Sequence, residues 1–268
     1  MDIRLVMCDL DGTLLTEDKK ITLVSRETIA RLKQKGIAFG IATGRPTESV
    51  LRTLTTEQIL PYVDVVVTNN GVTWLDRADN VESETYTLKM SSAIEIFSKI
   101  DHLNVSFAIY DERYLYTNKI NDGIARLLGF HQLEPYICAI TEVKKERIHK
   151  FILSIDEREM PRLESLAKTF PTQEYHGFMT QADLYEFVDH RVSKALAIDR
   201  YAKKHGYGLD QVMAFGDTSN DIAMLRDVGL GICMANGTDD AKNVSKDFAL
   251  SNEEDGVARY LIDYFDIN

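Results

Sequence analysis

The chain has 268 residues, enough for one large domain or two of ordinary size, and its apolar and charged fractions are those of a globular protein. A formal charge of −11 argues against a non-specific nucleic-acid or anionic-membrane surface, and fits a protein that recruits cations or keeps an acidic surface for solubility. Cys8, Cys138 and Cys233 are scattered without CxxC spacing, no apolar run approaches membrane-spanning length, and no signal-like N-terminus precedes them, so reduced thiols in a cytoplasmic protein are expected.

Ile3 and Leu5-Val6-Met7-Cys8 form a short apolar run that predicts a buried strand leading into Asp9-Leu10-Asp11-Gly12-Thr13-Leu14-Leu15. Asp9 and Asp11, at i and i+2, point the same way along an extended backbone. Two like charges at a buried strand end favour a cation between them, whereas an acidic Asp-Gly turn is the plain alternative. Ser25 to Lys35 carries Ile29 and Leu32 among charges and ends at Gly36, the pattern of an amphipathic helix with a glycine stop. The run Ile37 to Ala42 predicts a second strand closing on Thr43-Gly44-Arg45-Pro46, with Pro46 in the first turn of a helix through Val50, Leu51 and Leu54. Val63 to Thr68 predicts a third strand ending on Asn69-Asn70-Gly71. Strands and helices alternating at this spacing indicate βαβ units and a parallel sheet.

The texture changes around Val81 to Tyr86. Tyr86-Thr87-Leu88, Ser106 to Tyr110 and Tyr114 to Thr117 have the alternation of short strands, the last two joined by a hairpin loop at Asp111-Glu112-Arg113. Helices are expected at Ile120 to Leu128 and Pro161 to Phe170, and strands at Phe151 to Ile155 and Asp183 to Val188. This middle region predicts a separate α+β unit with an antiparallel sheet. From Ser193 the βα rhythm returns with a helix at Ala195 to Lys204 and a strand at Val212 to Phe215 that ends on Gly216-Asp217. A helix at Asp221 to Val228, a strand at Gly231 to Met234, a short helix near Asp240 to Val244, a strand at Phe248 to Leu250 and a C-terminal helix with Val257, Leu261 and Phe265 on one face complete the chain.

In open α/β sheets ligands gather outside the carboxyl ends of the strands. Those ends offer Asp9 and Asp11, Thr43 with the amides of Gly44 and Arg45 at a helix start, and Asp217 followed by Asn220 and Asp221, with Lys194 opening a helix between them. Together these are the parts of a phosphoryl-transfer site. Asp9 would be the nucleophile, Asp11 a general acid and base, and Lys194 with Thr43 would neutralise and position phosphoryl oxygens. Asp9, Asp217 and the backbone carbonyl of Asp11 would hold magnesium, which favours a few carboxylates plus phosphate and water. Taken singly each part has an ordinary reading: a surface lysine, a strand-to-helix connection, an Asn-Gly turn, a helix cap.

The ordered set resembles the haloacid dehalogenase superfamily, and within it the Cof-type phosphatases with a type IIB cap. The resemblance spans nearly the whole chain and rests on Asp9 to Leu15, Ala42-Thr43-Gly44-Arg45, Ser193-Lys194, and Gly216-Asp217-Thr218-Ser219-Asn220-Asp221 followed by Met224-Leu225, with Asn69-Asn70-Gly71 and Asn252 to Ala258 in support. It implies a Rossmann-like parallel-sheet core over 1–82 and 186–268, interrupted by an inserted α+β cap over 83–185 that governs substrate specificity. It also implies Asp9 and Asp11 as catalytic residues, a phosphate site of Thr43, Gly44, Lys194, Asn220 and the backbone N–H of Leu10, and a magnesium site of Asp9, Asp11 and Asp217 supported by Asp221. Superfamily members resembling ATP-driven pumps carry threonine at the Asp11 position, and the dehalogenases lack this second aspartate, so Asp11 favours hydrolysis of the intermediate.

The leading expectation is a magnesium-dependent phosphatase acting through an aspartyl-phosphate on a small phosphorylated metabolite, sugar phosphates first, with flavin mononucleotide and pyridoxal phosphate as further possibilities. A phosphomutase or a non-catalytic regulator that binds a phosphorylated metabolite are the alternatives. Tyr110, Arg113, Tyr114, Tyr116 and His176 are the cap residues with chemistry suited to specificity, without a motif behind them.

Overall fold

The structure is a computed structural model describing residues 2–111, 113–170 and 173–267. It divides into two compact units, Met1–Thr85 with Val192–Asn268, and Tyr86–Arg191. Glu112, expected in a hairpin loop, lies outside the described residues.

Among the described residues, the first unit is built on an eight-stranded sheet. In spatial order its strands are Asp247–Ala249, Leu230–Met234, Val212–Gly216, Leu5–Cys8, Ala38–Ala42, Val65–Thr68, Thr73–Asp76 and Val81–Glu84. Neighbours are parallel from the first to Val65–Thr68, and the last two strands are antiparallel additions. Leu5–Cys8 is central, in register with Val212–Phe215 on one side and Ala38–Ile41 on the other. Its side chains alternate between two apolar layers. Val6 and Cys8 pack with Ile29, Leu32, Val50, Leu54, Val257 and Leu261, and Leu5 and Met7 pack with Ala197, Ile198, Tyr201 and Met224. Helices therefore cover both faces, which explains why these strands are continuous apolar runs rather than alternating ones. This is the α/β Rossmann-like architecture expected from the sequence. Cys8 and Cys233 are buried in the core and Cys138 is half-buried; all three are free thiols. Among the described residues no helix is long and apolar enough to cross a membrane.

Among the described residues, the second unit carries a six-stranded sheet in the order Tyr175–Gln181, Leu184–Asp189, Phe151–Ser154, Ser106–Tyr110, Tyr114–Thr117 and Glu134–Ile137. Helices Met90–Ile100 and Met160–Ala167 bury Ala93, Ile96 and Leu163 against Phe107, Phe151 and Phe187 on one face, and helix Asp122–His131 packs Ile124 and Leu127 on the other. Three expectations need correction here. The sheet is not wholly antiparallel, because Glu134–Ile137 runs parallel to Tyr114–Thr117. The helix Asp122–His131 connects those two strands, the crossover that parallel neighbours require. Of Tyr86-Thr87-Leu88, only Leu88 is in a strand, Leu88–Lys89, which pairs with Arg147–Ile148. Thr87 instead receives the Arg147 side chain on its hydroxyl and carbonyl, and the Arg191 guanidinium lies 3.6 Å from the centre of the Tyr86 ring. The units also divide at 85/86 and 191/192 rather than at 82/83 and 185/186. The strand Leu184–Asp189 is paired along its whole length within the second sheet, and Val81–Glu84 within the first.

Lys150 and Glu186 form a buried ion pair in the second unit, with Nζ 3.0 and 3.1 Å from the two carboxylate oxygens. Removing one partner takes from the other, buried charge the opposite charge that it faces at hydrogen-bond distance. Lys150→Met is expected to destabilise by about 3–5 kcal/mol, and the double change Lys150→Met with Glu186→Leu to recover most of that loss. Urea unfolding of the parent protein and the two variants measures the difference; equal stability of single and double variants would refute it.

Candidate active site

The central strand ends at Cys8, and the Asp9 amide still donates to the Phe215 carbonyl at 3.0 Å, so Asp9 leaves the sheet beside Val212–Gly216. The chain then folds back, with the Leu15 amide on the Leu10 carbonyl at 2.8 Å. Gly12 takes φ +80°, and a Cβ there would meet Asp217 Oδ2 at 2.3 Å. Only glycine satisfies both the left-handed backbone and the close approach. Thr13 follows and donates its hydroxyl to Asp217 Oδ1 at 2.9 Å.

Lys194 stands at the first position of helix Lys194–Lys204, which Ser193 caps by accepting from the Leu196 amide at 3.1 Å. Its side chain is fully buried, and Nζ lies 2.7 Å from Asp9 Oδ1 and 2.7 Å from Asp221 Oδ1. Burial alone would lower the Lys194 ammonium, but Asp221 and Asp9 together hold it above its ordinary range. The other oxygen of Asp221 accepts from the amides of Asp217 and Thr218 at 3.0 and 3.2 Å. Asp221 is thus a buried brace that fixes both Lys194 and the Asp217 turn.

Asp9, Asp217 and Asp221 bring one carboxylate oxygen each within 4.8 Å of one another, all buried. One lysine against three carboxylates leaves excess negative charge. Burial pushes Asp9 up to about 7, against the pull of Lys194 and with the push of Asp221, and burial followed by the charges of Asp9 and Asp221 pushes Asp217 up to about 8. A hard divalent cation with oxygen ligands relieves this excess, so the residues fit magnesium.

The second strand ends at Ala42. Thr43 continues the ladder through its amide to the Val67 carbonyl at 2.9 Å, and its carbonyl accepts from the Asn70 amide at 3.0 Å. Asn69 and Asn70 both take positive φ, 50° and 59°, a conformation asparagine tolerates. Asn70 Oδ1 accepts from Asn220 Nδ2 at 3.1 Å, which ties this turn to the one after Asp217. Gly44 faces the same amide group; a Cβ there would lie 3.0 Å from Asn70 Oδ1.

Asp11 points elsewhere. Arg45 grips its carboxylate with two nitrogens at 2.6 and 2.7 Å, and Lys19 adds a third contact at 2.9 Å. Burial raises the Asp11 carboxyl, but the hydrogen bonds and charges of Arg45 and Lys19 outweigh it and hold Asp11 below the ordinary carboxylate range. The fold therefore gathers Asp9, Lys194, Asp217 and Asp221 at one point, with Thr43, Gly44 and Asn220 joined through Asn70 and Leu10 following Asp9 directly. The Thr13 hydroxyl, the Arg45 side chain and the Asn70 side chain join this bonding without having been singled out in the sequence, although each lies inside a quoted motif. The specificity candidates all lie in the second unit. The Tyr110 ring is 5.5 Å from Lys150 Nζ, Arg113 pairs with Glu134 at 2.8 Å, Tyr114 and Tyr116 pack with Tyr136, and His176 lies against Phe178.

A sequence profile of the haloacid dehalogenase-like hydrolases matches residues 6–261. The chain belongs to the haloacid dehalogenase-like hydrolase family. A putative phosphatase of Streptococcus pyogenes is 31% identical over 268 residues, covering 97% of this chain and 98% of that protein. The 5-amino-6-(5-phospho-D-ribitylamino)uracil phosphatase YitU of Bacillus subtilis is 26% identical, with 98% of each chain covered. The solved structure of a subclass IIB sugar phosphatase aligns with a TM-score of 0.83 at 22% identity, over 99% of this chain and 100% of that one, which speaks for the fold. This haloacid dehalogenase-like hydrolase is a phosphatase of the Cof type, and so a phosphoric monoester hydrolase.

Proposed function

We propose that the chain is a magnesium-dependent phosphatase that removes phosphate from small metabolites through a phosphorylated Asp9. The observation that carries this is the buried Asp9 carboxylate, held by Lys194 at 2.7 Å and grouped with Asp217 and Asp221 at the carboxyl ends of two adjacent parallel strands. Asp9 attacks phosphorus while Asp11, which takes a proton from solvent before this step against the pull of Arg45 and Lys19, gives that proton to the departing alcohol oxygen. Asp11 then takes a proton from water as the water attacks the aspartyl-phosphate, which releases inorganic phosphate and restores Asp9. Lys194 opposes the phosphoryl charge, and Thr43, the Gly44 and Leu10 amides and Asn220 orient its oxygens. Asp9, Asp217 and the Asp11 carbonyl would hold magnesium, with Asp221 as brace, and the ion when bound supplies charge neutralisation for the phosphoryl group.

Sugar and polyol phosphates are the preferred substrate class, and the inserted unit Tyr86–Arg191 is assigned to substrate choice. The ribityl phosphate in the name of the YitU substrate supports this class. Scattered free thiols support a cytoplasmic setting.

A phosphate-release screen over sugar phosphates, nucleotides and phosphorylated cofactors tests the reading. Release is expected with magnesium and is expected to vanish with excess chelator. An isomeric ester in place of free phosphate would make the protein a mutase, and activity persisting in chelator would remove the metal. Magnesium at a hundred times its Kd is expected to stabilise the fold by about 2.7 kcal/mol, read as a raised melting temperature, and Asp217→Asn to abolish that rise.

A further inference from the structure

Arg45 entered the sequence reading only through its backbone amide, yet its side chain is buried and fixed from several directions. Nε and Nη2 fork onto Asp11 Oδ2 and Oδ1 at 2.7 and 2.6 Å, while Nη1 donates to Thr53 Oγ1 at 3.2 Å, on the helix Thr47–Thr56 that follows. The Arg45 amide donates to Thr43 Oγ1 at 3.3 Å, and its carbonyl accepts from the Asn69 amide at 3.0 Å. A planar guanidinium held in this way sets both the plane and the position of the carboxylate it grips. Lys19 also reaches Asp11, but from an exposed and flexible stem. The Asp11 side chain meanwhile keeps 43% of its surface open.

We propose that Arg45 is the positioning residue for Asp11, locking its carboxylate against the Thr43 turn so that its open side meets the oxygen of the departing alcohol. The proposal rests on the reading of Asp11 as the proton-transfer group and goes beyond it by naming what aims that group. Thr53 steers the fork at one remove.

Leaving-group chemistry separates aim from architecture. A sugar alkoxide is a poor leaving group and needs a proton as it departs, whereas 4-nitrophenolate departs without one. With glucose 6-phosphate and magnesium, Arg45→Met is expected to lower kcat/KM by on the order of 10², the scale of a misplaced catalytic group, and with 4-nitrophenyl phosphate by less than about tenfold. Arg45→Lys keeps the charge without the fork and is expected to recover only part of the loss. Thr53→Val is expected to show a smaller loss with the same preference, and it decides by the same ratio if Arg45→Met fails to fold. Asp11→Asn is measured alongside. If Asp11→Asn discriminates between the two esters and the Arg45 and Thr53 variants lose both equally, or neither, the positioning role is overturned and the Asp11 reading stands. If Asp11→Asn itself does not discriminate, both fall.

Discussion

Asp9→Asn is expected to abolish phosphate release while leaving the protein folded. Asparagine matches aspartate in shape but is a far weaker nucleophile, so no phosphorylated residue forms. Phosphate-monoester hydrolysis is so slow without catalysis that enhancements reach about 10²¹, and the loss of one essential nucleophile in a hydrolase costs on the order of 10⁶ in kcat. Lys194 retains its second partner, Asp221, at 2.7 Å, so the buried ammonium is not stranded. The ionised Asp9 carboxylate is itself unfavourable where it sits, since burial pushes it up to about 7. The metal-free variant is therefore expected to melt at or above the temperature of the parent protein. Residual turnover within about a hundredfold, the scale on which a proton-transfer group acts, would remove Asp9 from the nucleophile's role.

Lys194→Met carries a large expected effect on stability, of the same size as Lys150→Met but tied to pH. It deletes the ammonium that pairs with both Asp9 and Asp221 in a buried cluster of three carboxylates, a loss of about 3–5 kcal/mol. The penalty depends on pH with a definite sign. Asp9 and Asp217 stand at about 7 and about 8 with the lysine present, and without it they rise further. A carboxyl raised on folding weakens the protein as pH climbs through its raised value, and the weakening disappears once it is protonated. In chelator, the gap between Lys194→Met and the parent is therefore expected to be widest at pH 8 and to narrow towards pH 5. Denaturant unfolding at both values measures it, and a gap independent of pH would show that lost packing rather than charge is responsible.

The strand ends were legible because each is an apolar run closed by a polar residue: Cys8 before Asp9, Ala42 before Thr43, Phe215-Gly216 before Asp217. Their assembly was legible because parallel strands place such ends side by side. Other elements hid for physical reasons. In Thr73–Asp76 the fully buried Asp76 resembles a turn residue, since it accepts from the Ala78 amide at 3.0 Å, and its distant partners Lys204 and His205, at 2.6 and 2.9 Å, come together with it only in three dimensions. Helix Met90–Ile100 buries Met90, Ala93, Ile96 and Ile100, but Ile94 and Phe97 between them blur the period. Glu134–Ile137 is exposed and contains Pro135, so it reads as a loop. In Tyr175–Gln181, Gly177 weakens the strand signal; a Cβ there would meet the Tyr185 ring at 2.5 Å. The fork of Arg45 on Asp11 joins residues 34 apart, and no spacing rule reports such a contact.

The hydrogen bond from Thr13 to Asp217 spans 204 positions of the chain, and it bears on how the protein is made. Closing so long a loop costs little in equilibrium terms, since each doubling of length adds only about 0.6 kcal/mol, but contacts of such separation form slowly. During synthesis Leu5–Cys8 and Ala38–Ala42 emerge early, and the second unit can gather its own local contacts next. The strand Val212–Gly216 arrives only after that whole insertion has been made. Until then one edge of Leu5–Cys8 is open to wrong partners, and Asp9 has neither Lys194 nor Asp217 beside it. The Asp9 cluster is thus assembled late on the ribosome, and a nascent chain released early would carry Asp9 without Lys194 or Asp217 beside it.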